Sequence, residues 1–211
     1  MRGSVNIKYK SAVILIIAFI VIFTFGCSDA SKDDKTIAYI SQSKNSDYEK
    51  TFNELKIGRI FDYEYKLVNA DKTSVQGWLE VYEKGKMTDD NIGGFKYIIR
   101  PSKKGEEGNL GFGAIESANG NSSIFFYSPS FTMTPYNIEY DFNKDVGIKS
   151  WANAIKDQTL SIEKGQEVIL AVYREIKGNE LIEYNYQNPD SIEKIIKEDN
   201  KVILFKFKID D

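Results

Sequence analysis

Phe61-Asp-Tyr-Glu-Tyr-Lys-Leu67 (FDYEYKL) places aromatic or aliphatic side chains at 61, 63, 65 and 67 and charged ones at 62, 64 and 66. An extended backbone sends successive side chains to opposite faces, so a period of two describes a strand with one buried and one wet face. Asn69–Ser74 is turn chemistry, and Gly77–Glu83 (GWLEVYE) follows as the expected hairpin partner. In that partner Trp78, Glu80 and Tyr82 share one face, and Leu79, Val81 and Glu83 the other.

The same grammar extends in both directions. Thr36–Ile40 reads as a first short strand, and Phe95–Arg100 as one that stops at Pro101. Leu110–Ile115 (LGFGAI) sets Gly111 and Gly113 on one face, a pattern of a bulge or of close approach by another backbone. After the Asn119-Gly120-Asn121 turn, Ser123–Ser128 returns, and Asn137–Phe142 resumes beyond a loop bracketed by Pro129 and Pro135. Ser150–Gln158 reads as a short helix carrying Trp151, Ala154 and Ile155 on one side. Thr159–Ile162 and Val168–Ile176, joined by Glu163–Gln166, read as a second hairpin, whose Val168–Tyr173 half is apolar on both faces. Gly178-Asn179 leads into Leu181–Tyr186.

Pro189–Asn200 is the best helix: Asp190 and Glu193 form a capping box, and Ile192, Ile195 and Ile196 an apolar stripe. Lys201–Ile209 closes the pattern, with Ile203, Phe205, Phe207 and Ile209 inward and Lys206 and Lys208 outward. Many short strands separated by turn signals predict an all-β fold, an antiparallel β-sandwich or flattened barrel with one or two short helices. Strands do not alternate with long helices, which excludes a doubly wound α/β fold.

At the other end of the chain, Arg2, Lys8 and Lys10 precede an uncharged run of 18 residues, Ser11–Ser28. As a helix that run would span about 27 Å, short for a membrane crossing and ample for a signal core. Basic, apolar and small-residue regions in this order are the layout of a secretory signal, with the basic flank left on the cytoplasmic side. Thr24-Phe25-Gly26-Cys27 then resembles the lipobox of a bacterial lipoprotein precursor, matching it at Gly26 and Cys27 and departing from it at Thr24 and Phe25. The resemblance covers these first 27 residues alone and implies cleavage before Cys27 and diacylation of its thiol. Two acyl chains make an anchor that one chain does not.

The expected organisation is a signal peptide over 1–26, a lipid-anchored tether over 27–35 and a single β-sandwich domain over 36–211. The expected location is the outer face of the cell membrane.

Composition narrows the chemistry. There is no His, and Cys27 is the only Cys. A Ser-His-Asp or Cys-His centre, a His- or Cys-ligated zinc and a dithiol redox pair are therefore excluded. Without the signal segment, 25 basic residues stand against 31 acidic ones, a balance unsuited to nucleic acid. No cofactor and no metal site is expected. Asp141, Asn143 and Asp145 begin like a calcium loop, but Val146 and Ala152 occupy the positions of its Gly and bidentate Glu.

Two groups remain as candidate ligand-binding residues. Trp78, Glu80 and Tyr82 put a carboxyl between two aromatics, an arrangement that stacks on a sugar ring if it faces water and anchors a core if it does not. Tyr127, Phe131 and Tyr136, with the hydroxyl residues around Pro129 and Pro135, make an aromatic loop. The expected function is a non-catalytic binding or interaction module whose partner is an envelope protein or a glycan. The alternatives are a carbohydrate-binding module, or a hydrolase built on carboxylates such as Glu80 and Glu83.

Overall fold

The computed structural model describes residues 35–68, 73–88, 92–99, 105–116, 122–138 and 147–210. Cys27, the Asn119–Asn121 turn and the calcium-loop-like Asp141, Asn143 and Asp145 lie outside the described residues. The elements run β1 (Thr36–Gln42), α1 (Asp47–Leu55), β2 (Gly58–Leu67), β3 (Ser74–Glu83), β4 (Lys86–Met87), β5 (Gly94–Ile98) and β6 (Glu106–Glu116). They continue as β7 (Ser122–Ser128), β8 (Phe131–Thr132), β9 (Tyr136–Ile138), β10 (Ile148–Asn153), β11 (Thr159–Glu163), β12 (Glu167–Ile176), α2 (Pro189–Glu198) and β13 (Lys201–Asp210). Among the described residues, no helix is long and apolar enough to cross a membrane.

Two antiparallel sheets pack face to face without closing into a barrel. Sheet A is ordered β11-β1-β2-β6-β7-β8, with β9 also on β7. Sheet B is ordered β10-β12-β13-β3-β4, with β5 also on β3. The alternation in β2 is realised: Phe61, Tyr63, Tyr65 and Leu67 are buried. They meet Leu170, Phe205 and Phe207 of sheet B in the main core. Phe112 and Phe126 each stand 5.7 Å from Phe205 by ring centroids, and the Tyr63 hydroxyl donates to Leu170 O at 2.6 Å across the sandwich. β12 and β13 are buried on both faces, because α2 and the segment before it cover their outer side. There Val172, Val202, Leu204, Ile195, Tyr186 and Ala154 form a second cluster.

Several local expectations are corrected. β2 and β3 are not a hairpin: β2 pairs with β1 and β6 in sheet A, and β3 with β13, β4 and β5 in sheet B. The connection crosses between sheets, and the two strands turn their apolar faces into the main core from opposite sides. β11 and β12 likewise belong to different sheets, β11 on β1 and β12 between β10 and β13. Residues 148–153 form a strand, not a helix: pairing with β12 satisfies that backbone, and Trp151 packs 4.6 Å from Tyr173 and 5.8 Å from Phe61. Leu181–Tyr186 has no regular structure.

The helix at 189–198 is as expected, but Asn188 caps it, its side chain accepting from Asp190 N. Glu193 turns away to Lys197 (2.5 Å). Gly111 and Gly113 mark no bulge; at Gly111 the expected close approach of another backbone is present, with Phe61 O 2.2 Å from where a Cβ would be built and the Tyr127 ring beside it, and at Gly113 the Phe125 ring lies across at 2.2 Å. α1 was not anticipated. Ser46 caps it by accepting from Glu49 N at 3.3 Å, so the Ser46–Glu49 spacing carried a helix signal that went unread.

Candidate functional site

β3 alternates Leu79 and Val81 into the core with Trp78, Glu80 and Tyr82 on the outer side of sheet B, where all three are half-buried. Trp78 Nε1 donates to Glu80 Oε1 at 2.9 Å, and the Tyr82 hydroxyl to Oε2 at 2.7 Å. From the neighbouring strand β13, Lys206 Nζ stands 3.0 Å from the same Oε2 and 3.4 Å from Glu167. Burial alone would raise the Glu80 carboxyl. The bonds from Trp78, Tyr82 and Lys206 together outweigh it and hold the group below its ordinary value. The Tyr82 hydroxyl moves the other way, raised by burial and then by its bond to Glu80.

This row borders a groove of about 550 Å³ between sheet B and α2. Its floor is Ile169, Leu204 and Tyr82, and Ile192, Ile196 and Tyr186 wall it. The Gln187 amide fixes the far wall by donating to Ile169 O at 2.7 Å. Behind it Arg174 and Asp199, both buried, pair at 2.6 Å, and Arg174 also donates to Ile182 O at 2.7 Å. The Arg174 bond to Ile182 O holds the irregular 177–188 segment against β12, and Asp199 fixes the guanidinium that makes it. The result is a trough with an apolar floor whose rim carries Glu167 and Lys206 on one side and Glu193 and Lys197 on the other.

Glu80 and Glu83 do not face each other. They occupy opposite faces of β3, Glu80 with Lys206 and Glu83 with Lys201 (2.6 Å). Tyr127, Phe131 and Tyr136 are brought together neither with the Trp78 row nor with one another. Tyr127 is buried on the outer side of sheet A, where its hydroxyl donates to Asp62 Oδ1 at 2.8 Å and its ring meets Tyr48 of α1 at 5.6 Å. Phe131 plugs the sandwich edge against Phe95 (4.9 Å) and Tyr97 (5.4 Å). The Tyr136 hydroxyl donates to Ile92 O at 2.8 Å.

A second polar centre was not legible, because Asp62 falls on the wet phase of β2 yet is only 1% exposed. It accepts from Ser46 Oγ at 2.6 Å, from Tyr127 and from Asn109 Nδ2 at 3.0 Å to each oxygen. α1 roofs this network. Beside it opens a polar cleft of about 710 Å³ whose lining includes Ser41, Gln42, Glu49, Gln158 and Thr159. The Glu49 carboxyl there is raised, first by burial and then by nearby Asp62. Another buried carboxyl, Glu106, accepts from Tyr97 and Ser130.

Neither curated proteins nor solved structures offer a match to this chain. A family profile does, over residues 39–209, which takes in both sheets and both helices. By that span the chain belongs to the YgaN domain family.

Proposed function

We propose that this chain is a lipid-anchored extracytoplasmic binding module, tethered through Cys27, that takes up a partner on the outer side of sheet B and catalyses nothing. The observation that carries the binding reading is the Trp78–Glu80–Tyr82 row. It faces water instead of the core, yet hydrogen bonds and Lys206 hold it in one arrangement. Ordering these side chains before a ligand arrives lowers what binding must spend on fixing them. The Met1–Cys27 layout supports the anchor.

A glycan is the second reading, favoured by two half-exposed aromatic rings flanking the carboxyl. On that reading the ring faces do the gripping. Three donors already engage Glu80, which leaves it little capacity for a sugar hydroxyl.

Palmitate labelling in cells tests the anchor: the full chain becomes labelled and fractionates with membranes, and Cys27→Ala does neither. Binding is tested on the full chain in uncharged detergent, by Trp fluorescence and melting against a panel of glycans and envelope extracts. Trp78→Ala and Tyr82→Ala abolish any response while leaving the melting temperature within a few degrees. Turnover of a cell-wall substrate that is lost in a single Glu→Gln variant refutes the non-catalytic reading.

A further inference from the structure

At one open end of the sandwich, charged residues continue the core-facing phase of three strands. Arg59 stands two residues before Phe61 in β2, Glu116 two after Ala114 in β6, and Lys149 two before Trp151 in β10. Phe61, Ala114 and Trp151 all belong to the main core or pack on it. These polar side chains therefore ring the mouth between the sheets. Lys56 joins them from the end of α1, where it sits in the left-handed region at φ 52°. Together with Phe52 and Trp151 they line a hollow of about 420 Å³.

Three cations face one carboxyl here, in a domain whose overall charge is negative. Lys149 already has a partner of its own. Arg59 and Lys56 are exposed, and their side chains have no ion pair or hydrogen bond among the described residues.

We infer that this mouth is an anion site, with the Arg59 guanidinium as the fork and Lys56 as the second charge, for a small phosphate-bearing ligand whose organic part lies on Trp151 and Phe52. Guanidinium matches two oxygens of a phosphate at once, and an adjoining aromatic ring suits the carbon skeleton attached to it. Gly58 next to Arg59 has φ 143°, and a Cβ there would come within 2.0 Å of Ala114 O, so the position requires glycine, and Arg59 itself is held by its pairing with Ala114 of β6.

We assign the ligand as free and not as a lipid headgroup, an assignment that rests on the proposed anchor at Cys27. β1 begins beside Leu67, at the opposite end of β2, which puts the hollow roughly 30 Å along the strand from where the chain enters the sandwich. This site is independent of the sheet B face.

The test is a titration of the full chain in uncharged detergent, in a Trp78→Phe background so that Trp151 alone reports. Glycerol 3-phosphate is expected to change Trp151 emission saturably, inorganic phosphate to compete, and added salt to weaken both. Arg59→Gln is expected to weaken binding at least tenfold and Lys56→Gln severalfold, with Arg59→Lys recovering only part. Phosphatidylglycerol vesicles should bind no better than phosphatidylcholine ones. Absence of saturation, or unchanged affinity in both Arg59→Gln and Lys56→Gln, overturns the site. Binding to anionic vesicles alone overturns the free-ligand assignment. Thermal melts accompany each variant; both positions are exposed, so the melts should not move.

Discussion

Glu80 and Asp62 show how differently two carboxyls on sheet faces are treated. Asp62 lies beneath α1 and, among the described residues, is met by hydroxyl and amide donors, Ser46, Tyr127 and Asn109, whose bonds offset its cost of burial. Glu80 keeps contact with water and has a cation beside it. Because its folded pKa lies below the ordinary 4.5, Glu80 contributes stability that is present above that value and lost as pH falls through the folded one. Glu80→Gln should therefore cost about 1 kcal/mol at neutral pH. The gap from the parent chain should narrow once the carboxyl protonates. Urea unfolding at pH 7 and pH 3 measures both, and a gap that stays constant contradicts the argument.

Elements formed where local pattern and distant packing agreed. The alternation of Phe61–Leu67 and of Ile203–Ile209 was readable because one face of each meets the core directly. The Ile192–Ile195–Ile196 stripe was readable because α2 docks on sheet B by that stripe alone. Trp151 misled for a physical reason. Its spacing to Ala154 and Ile155 fits a helix, but those two residues belong to the bend after β10, so the spacing belongs to no single element.

Gly111 and Gly113 were legible as gaps, while the rings that cover them were not, since these come from β7. At Gly113 the backbone is ordinary extended chain and only the Phe125 ring stands in the way. Gly113→Val should thus destabilise by about 2 kcal/mol through overcrowding. Phe125→Ala in the same chain should return a good part of that. Denaturant melts of the two single variants and the double one would read a coupling of about 1 kcal/mol, and strict additivity would exclude the ring as the obstacle.

At the scale of the whole molecule, the sandwich class was legible from composition and turn spacing, but its wiring was not. Neighbouring segments such as Ser74–Glu83 and Gly58–Leu67 separate into different sheets, and β1 pairs with β11 more than a hundred residues on. Such pairings depend on which faces fit, which a one-dimensional pattern does not encode. The groove beside α2 and the Arg59 mouth are products of that wiring, each assembled from segments far apart in sequence. β13 lies between β12 and β3 and contributes to both apolar clusters. Deleting residues 201–211 should accordingly abolish cooperative unfolding and the near-UV signal altogether, where deletion of an edge strand would merely lower the melting temperature.

That placement also sets a timetable for biogenesis. A ribosome delivers the rims of sheet B well before its keystone, so that sheet stays incomplete until residue 210 has been made. A polypeptide delayed in this way would stay pliable enough to thread a narrow pore, which is what the export proposed above requires.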